Sequence, residues 1–202
     1  QIAGKSMSVS DVMEEVEKDV IFYEHSGGGA SFSGGEPLLQ HEFLCALLEA
    51  CKQKGIHTVV DTTGMTSPEI LARVSKSVDL FLFDHKMMDD AKHREFTGVS
   101  NSMILSNLRR LAEMKKQVIV RIPIIPGVND DPREIRESGA FVASLGNVAE
   151  IHLLPYHTIG VEKYHRLGEE YEMRQTVPPS ADDLSTVVKE LLNYVPSVSI
   201  GG

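Results

Sequence analysis

The sequence predicts an α/β fold of parallel strands, arranged as an open doubly wound sheet or as a partial barrel. Apolar runs rich in Val, Ile and Leu alternate with helical patterns along the chain, and strands that read as continuous hydrophobic runs are those covered on both faces. No low-complexity linker interrupts the alternation, so residues 1–202 read as one domain of a size that a single core supports. Polar clusters fall at the C-terminal ends of successive apolar runs, the edge at which parallel α/β architectures bind ligands. Right-handed crossovers join such strands, and the five core strands are too few to close a barrel.

Each element has a local reason. A first helix is expected from Val9 to Tyr23, capped by Ser8 with Asp11 three residues on, and with Val9, Val12, Val16 and Val20 near helical spacing. Gly27, Gly28 and Gly29 read as a flexible loop before a strand at Ala30–Ser33. Pro37 starts a second helix that Gly55 ends, with Leu39, Phe43, Leu47 and Cys51 as its core stripe. After a strand at Thr58–Asp61, Ser67 before Pro68 caps a third helix. A strand at Asp79–Asp84 precedes a helix opened by Asn101 and carrying Ile104, Leu108 and Leu111. The strand Val118–Pro123 leads to a helix opened by Asp131 before Pro132. The strand Glu150–Leu154 is followed by a polar, Gly-punctuated stretch, Tyr156–Val177, that reads as a long loop. Ser180 with Asp183 makes a capping box for the last helix, and Ser197–Ile200 is the last strand.

Composition excludes several function classes. A net charge of -9 without clustered Lys and Arg argues against nucleic acid as partner. No apolar stretch reaches the roughly 18 residues that span a bilayer, and the N-terminus lacks the regions of a signal peptide, so the cytoplasm is expected. Cys45 and Cys51 lie on one predicted helix, roughly 240° apart around its axis, so they neither pair nor chelate together.

Five clusters carry candidate chemistry: Gly34–Glu36, Asp61–Gly64, Asp84–Lys86, Pro126–Asp130 and Pro155–His157. Gly34 and Gly35 sit between strand and helix, where backbone approaches a ligand closely, and Glu36 brings a carboxylate to the opening. Asp61-Thr62-Thr63-Gly64 reads as an Asx or ST turn, or in company as an oxygen-rich patch for a ribose or a cation. Asp84 and Lys86 share a face at a strand exit, and charges there pair with each other or with a bound ion or carboxylate. Arg121 shares a face with Ile119 and Pro123: at a sheet edge it is a surface residue, and on a central strand it faces a cleft suited to an anion. His157 follows Leu153-Leu154-Pro155-Tyr156 at the mouth, and no His-x3-His or Glu-x2-His spacing assigns a metal to the other histidines, His85 and His93 included.

The ordered series resembles the glycyl-radical-enzyme activating enzymes, the pyruvate formate-lyase activating group of the radical SAM superfamily. Its members are Gly28-Gly29-Ala30-Ser31-Phe32-Ser33-Gly34-Gly35-Glu36-Pro37, Asp61-Thr62-Thr63-Gly64, Asp84-His85-Lys86, Arg121-Ile122-Pro123-Ile124-Ile125-Pro126-Gly127, Leu153-Leu154-Pro155-Tyr156-His157 and Lys163-Tyr164-His165-Arg166-Leu167-Gly168. The resemblance implies a partial (β/α) TIM-like barrel truncated at its start. The first strand, a Cys-x3-Cys-x2-Cys loop for a 4Fe-4S cluster and a ferredoxin-like insert are expected upstream, since Ile2-Ala3-Gly4-Lys5 resembles the junction after such an insert, and Val198–Gly202 the family's C-terminus.

The same resemblance implies the activity. The full-length form reductively cleaves S-adenosylmethionine to a 5′-deoxyadenosyl radical, with electrons from a flavodoxin or ferredoxin, and installs a glycyl radical on a partner such as pyruvate formate-lyase. By resemblance Gly34, Gly35 and Glu36 hold the methionyl amino group, and Lys86, Arg121 and His157 hold the carboxylate or ribose. Asp61, Thr62 and Asp84 form a monovalent-cation site. With only two cysteines, the chain as given is expected to be inactive. Two other readings stand beside this one: a lyase or aldolase using Lys86 as Schiff-base nucleophile beside Asp84, and a clusterless module that binds a glycyl radical enzyme.

Overall fold

The computed structural model describes residues 5–158 and 176–201. They form two compact units, one of residues 5–83 and 106–118, the other of 84–105, 119–158 and 176–201. The strands are β1 (Gly29–Phe32), β2 (His57–Thr62), β3 (Leu80–Asp84), β4 (Gln117–Ile124), β5 (Glu150–Pro155) and β6 (Ser197–Ile200), in that order in one six-stranded sheet. Pairing is parallel where β1 meets β2 and β2 meets β3, and again where β4 meets β5 and β5 meets β6. The expected strands are thus all present, shifted by at most one residue at either end.

In the first unit α1 (Val9–Glu17) and α2 (Val20–Ser26) stand where one helix is expected. The helix stops because the N–H groups of Lys18 and Asp19 turn to the carbonyls of Glu15 and Val16, three residues back, and Asp19 leaves helical geometry at φ -101° and ψ 6°. The valine stripe is nonetheless correct, since Val9, Val12, Val16 and Val20 pack against a cluster of Met13, Ala30, Leu47, Cys51 and Ile56. Gly29 belongs to β1 rather than to a loop. It pairs with His57 so closely that a Cβ would lie 2.0 Å from the His57 carbonyl oxygen.

Pro37 opens a 3-10 turn, Pro37–Gln40, and the α-helix proper is α3 (His41–Gln53). That tighter turn resets the helical phase, so Leu39 is 78% exposed instead of lying in the core stripe. Leu44, Cys45, Leu47, Leu48 and Cys51 form the buried face. α4 (Pro68–Val74) carries the Ser67 cap, whose hydroxyl accepts from the Ile70 N–H.

The second unit holds α5 (Asp90–Thr97), which the sequence reading passes over. Asp89 caps it through the N–H groups of Ala91 and Lys92, and Gly98 closes it. α6 (Ser102–Glu113) has its first four residues in this unit and the rest in the first, and α7 (Pro132–Ser144) and α8 (Ala181–Leu191) begin at the predicted caps Asp131 and Ser180. The span from Tyr156 to Val177, with the motif Lys163–Gly168, lies largely outside the described residues, as does the opening Ile2-Ala3-Gly4.

The strands alternate faces as the pleat requires. In the first unit Val60, Thr62, Phe81 and Phe83 are buried and alternate with the half-buried Asp61 and Leu82. In the second, Val120, Ile122, Ile124, Ile151 and Leu153 are buried and alternate with the half-buried Arg121, Pro123 and His152.

Candidate functional site

Within the first unit, the site is built on the exits of β1 and β2. Gly34 takes φ +144°, a conformation that L side chains rarely adopt. A Cβ on Gly34 or Gly35 meets nothing within 4 Å, so the backbone there faces open space. Glu36 points back into the unit. Its Oε1 accepts from the Thr62 hydroxyl at 2.6 Å and the Leu38 N–H at 3.1 Å, and its Oε2 from the Thr63 hydroxyl at 2.6 Å and the Thr63 N–H at 2.9 Å.

Asp61 takes a hydrogen bond from the Ser33 hydroxyl at 3.3 Å, on the face opposite Thr62. Successive strand residues point to opposite faces, so the side chains of Asp61 and Thr62 leave β2 on opposite sides. Among the described residues no group of three or more His, Cys, Asp or Glu is placed to hold a metal ion.

Within the second unit, β3 and β4 bring Asp84, Lys86 and Arg121 together. Arg121 reaches Asp84 Oδ1 through Nη2 at 2.7 Å and Nε at 3.0 Å, and Lys86 Nζ lies 3.5 Å from Asp84 Oδ2. The three side chains are 15–32% exposed. They are neither fully desolvated nor screened as at an open surface. Two cationic side chains thus meet one carboxylate here, and a guanidinium is suited to an anionic ligand. Arg121 lies on a half-buried face with Ile119 and Pro123 and is not an exposed edge residue. His157 is exposed, two residues past the end of β5.

Two features escape the sequence reading. Thr63 is as much a partner of Glu36 as Thr62, a pairing across 27 positions for which no local pattern exists. His85, between Asp84 and Lys86, faces the other way, into the second unit's core against the Phe141 ring, with Nε2 2.9 Å from Ser138 Oγ. Burial, with smaller contributions from the charges of His93 and Lys86, lowers its pKa to about 4. A polar pocket of about 470 Å³ in the same unit, lined by Met88, Asp89, Lys92, Asp131, Arg133, Glu134 and Glu137, is internally matched. Lys92 pairs with Asp131, Arg133 pairs with Glu137, and Glu134 accepts from the N–H groups of Met88 and Asp89.

Residues 1–138 match the family model described as the radical SAM superfamily. The chain belongs to the radical SAM superfamily. Within it, the chain is 42% identical over 207 aligned residues to the trans-4-hydroxy-L-proline dehydratase activating enzyme of Clostridioides difficile, covering all of this chain and 68% of that protein. It is 41% identical to the choline trimethylamine-lyase activating enzyme of Oleidesulfovibrio alaskensis, covering 98% of this chain and 65% of the relative. A solved domain of the pyruvate-formate lyase-activating enzyme from Bacteroides vulgatus superposes with a TM-score of 0.74 at 39% identity, over 87% of this chain and 99% of that one. This radical SAM protein is therefore a member of the glycyl-radical-enzyme activating family, and its fold is the α/β partial barrel expected. It spans about two thirds of the length of the two activating enzymes just named. Their kind supports the activating reading over a Lys86 lyase.

The family implies S-adenosylmethionine and an iron–sulfur cluster, and the two fit this radical SAM chain differently. In the first unit the backbone at Gly34 and Gly35 is open to a polar group of a ligand, and in the second unit Lys86 and Arg121 are of a charge that suits a carboxylate. The cluster does not fit the residues of this chain. Its two cysteines, Cys45 and Cys51, are 7% and 0% exposed within α3, and burial raises both thiol pKa values.

Proposed function

We propose that the whole protein is an activating enzyme that installs a glycyl radical on a partner enzyme of the pyruvate formate-lyase kind, in the cytoplasm, with a flavodoxin or ferredoxin as electron donor. An iron–sulfur cluster that passed one electron from that donor to S-adenosylmethionine would break a carbon–sulfur bond, releasing methionine and a 5′-deoxyadenosyl radical able to take a hydrogen atom from the partner's glycine. Lys86 and Arg121 supply positive charge for the methionyl carboxylate, and Asp84 fixes the guanidinium by accepting two of its N–H bonds on one oxygen. The backbone at Gly34 and Gly35 offers its polar groups to the amino group without a side chain in the way. His157, exposed past β5, offers a ring nitrogen to the ribose. The half-buried setting of the trio shields these contacts from water and strengthens them.

The observation that carries this reading is the 41–42% identity to two activating enzymes over nearly the whole chain. It is joined by a cationic trio on the ligand-facing edge of a parallel sheet. The test uses the protein as its gene encodes it, loaded anaerobically with iron and sulfide and given a low-potential reductant. Methionine and 5′-deoxyadenosine are expected in equal amounts, with a glycyl radical resonance on the partner; a loaded protein that forms no 5′-deoxyadenosine overturns the reading.

A further inference from the structure

We propose that Glu36 is a positioning residue, which ties the β1 exit turn to the β2 exit turn through Thr62 and Thr63 and is not itself a ligand of the amino group. The functional half of this inference rests on the proposed use of S-adenosylmethionine; the structural half does not.

A carboxylate offers about four acceptor positions. In Glu36 four are occupied, two hydroxyls at 2.6 Å and two backbone N–H groups at 2.9 and 3.1 Å, all from the same compact unit. Hydroxyl bonds to a carboxylate at that length are the strong, charge-assisted kind. An incoming ammonium would displace at least one, leaving a donor in the interior unsatisfied, and Thr62 is only 2% exposed.

The bonds continue beyond Glu36. The Thr62 hydroxyl accepts from the Gly64 N–H at 2.9 Å and the Thr63 hydroxyl from the Met65 N–H at 3.3 Å. Asn107, fully buried on α6, donates its amide hydrogens to the carbonyls of Gly64 and Thr66 at 2.8 Å each. Its Oδ1 is buried with no hydrogen-bond partner among the described residues, so the amide is oriented to hold this loop at the cost of an acceptor. The strut thus runs from the turn beside the open Gly34 backbone, through Glu36 and the two threonines, to α6. Its effect is to hold two ligand-facing turns in one fixed geometry before anything binds.

Two measurements test it. In the 202-residue chain without ligand, amide hydrogen exchange at Leu38 and Thr63 should speed up in Glu36→Ala while the interior amides of α3 keep their protection; unchanged exchange at both sites overturns the strut. In the iron-loaded protein, Glu36→Gln and the double variant Thr62→Val/Thr63→Val should each raise KM for S-adenosylmethionine about tenfold with kcat little changed. Combined, they should be no worse than either alone, and Thr62→Ser/Thr63→Ser should restore the wild-type KM. Threonine variants that bind like wild type while Glu36→Gln loses binding would make Glu36 a direct ligand. If the wild-type protein forms no 5′-deoxyadenosine, the proposed function fails, and the exchange measurement alone decides the strut.

Discussion

At the residue scale, Asp84 and His85 are neighbours with opposite surroundings because successive strand residues point to opposite faces. Asp84 lies on the half-buried face with Arg121, whereas His85 is 1% exposed in the core of the second unit, bonded to Ser138 and packed on Phe141. Burial holds the His85 pKa near 4, below its ordinary value of 6.5. The unfolded chain therefore binds more protons than the native one between those values, and stability contributed by neutral His85 is complete above pH 6.5 and lost as pH falls towards 4. The upper limit is roughly 3 kcal/mol, from 1.36 kcal/mol per pKa unit. His85→Gln keeps a polar atom for Ser138 and does not titrate. Urea unfolding of wild type and variant across that window should show the difference between them shrinking as the solution is acidified. Parallel curves would mean that His85 does not titrate on unfolding.

At the element scale, β1 depends on a residue that has no side chain. A Cβ on Gly29 would sit 2.0 Å from the His57 carbonyl oxygen and 2.7 Å from its carbonyl carbon, so β2 would have to move. Gly29→Ala should cost roughly 1–3 kcal/mol or more. Gly35→Ala, whose Cβ meets nothing within 4 Å, should stay within about 0.5 kcal/mol of wild type. Equal denaturant midpoints for the two variants would refute the close-approach account. This pair also marks what was legible in the sequence. Caps at Ser8, Ser67, Asp131 and Ser180 are contacts within three residues and were readable. The close approach at Gly29, the helix break at Lys18, the phase shift that exposes Leu39 and the reach of Glu36 to Thr63 depend on partners or backbone geometry that no short window contains. α5 is different, because Asp89 and Gly98 are ordinary helix boundaries that a short window of sequence contains.

At the scale of the whole molecule, the question is which part of the chemistry these 202 residues carry. The described residues hold half-buried charged groups at a strand exit, but their thiols serve the core. Cys51 Sγ lies 3.8 Å from Met13 Sδ in the cluster that joins α1 to α3, and Cys45 is on the buried face of the same helix. An iron ligand must be a thiolate with access to the metal, and burial opposes both conditions at each position. In the iron-loaded protein, Cys45→Ala/Cys51→Ala should therefore bind as much iron and sulfide as wild type and show the same cluster absorbance. In the native 202-residue chain, both thiols should resist an alkylating reagent until denaturant is added. Loss of iron in the double variant would place one of these cysteines in the cluster and would mean that α3 packs differently when the metal is bound.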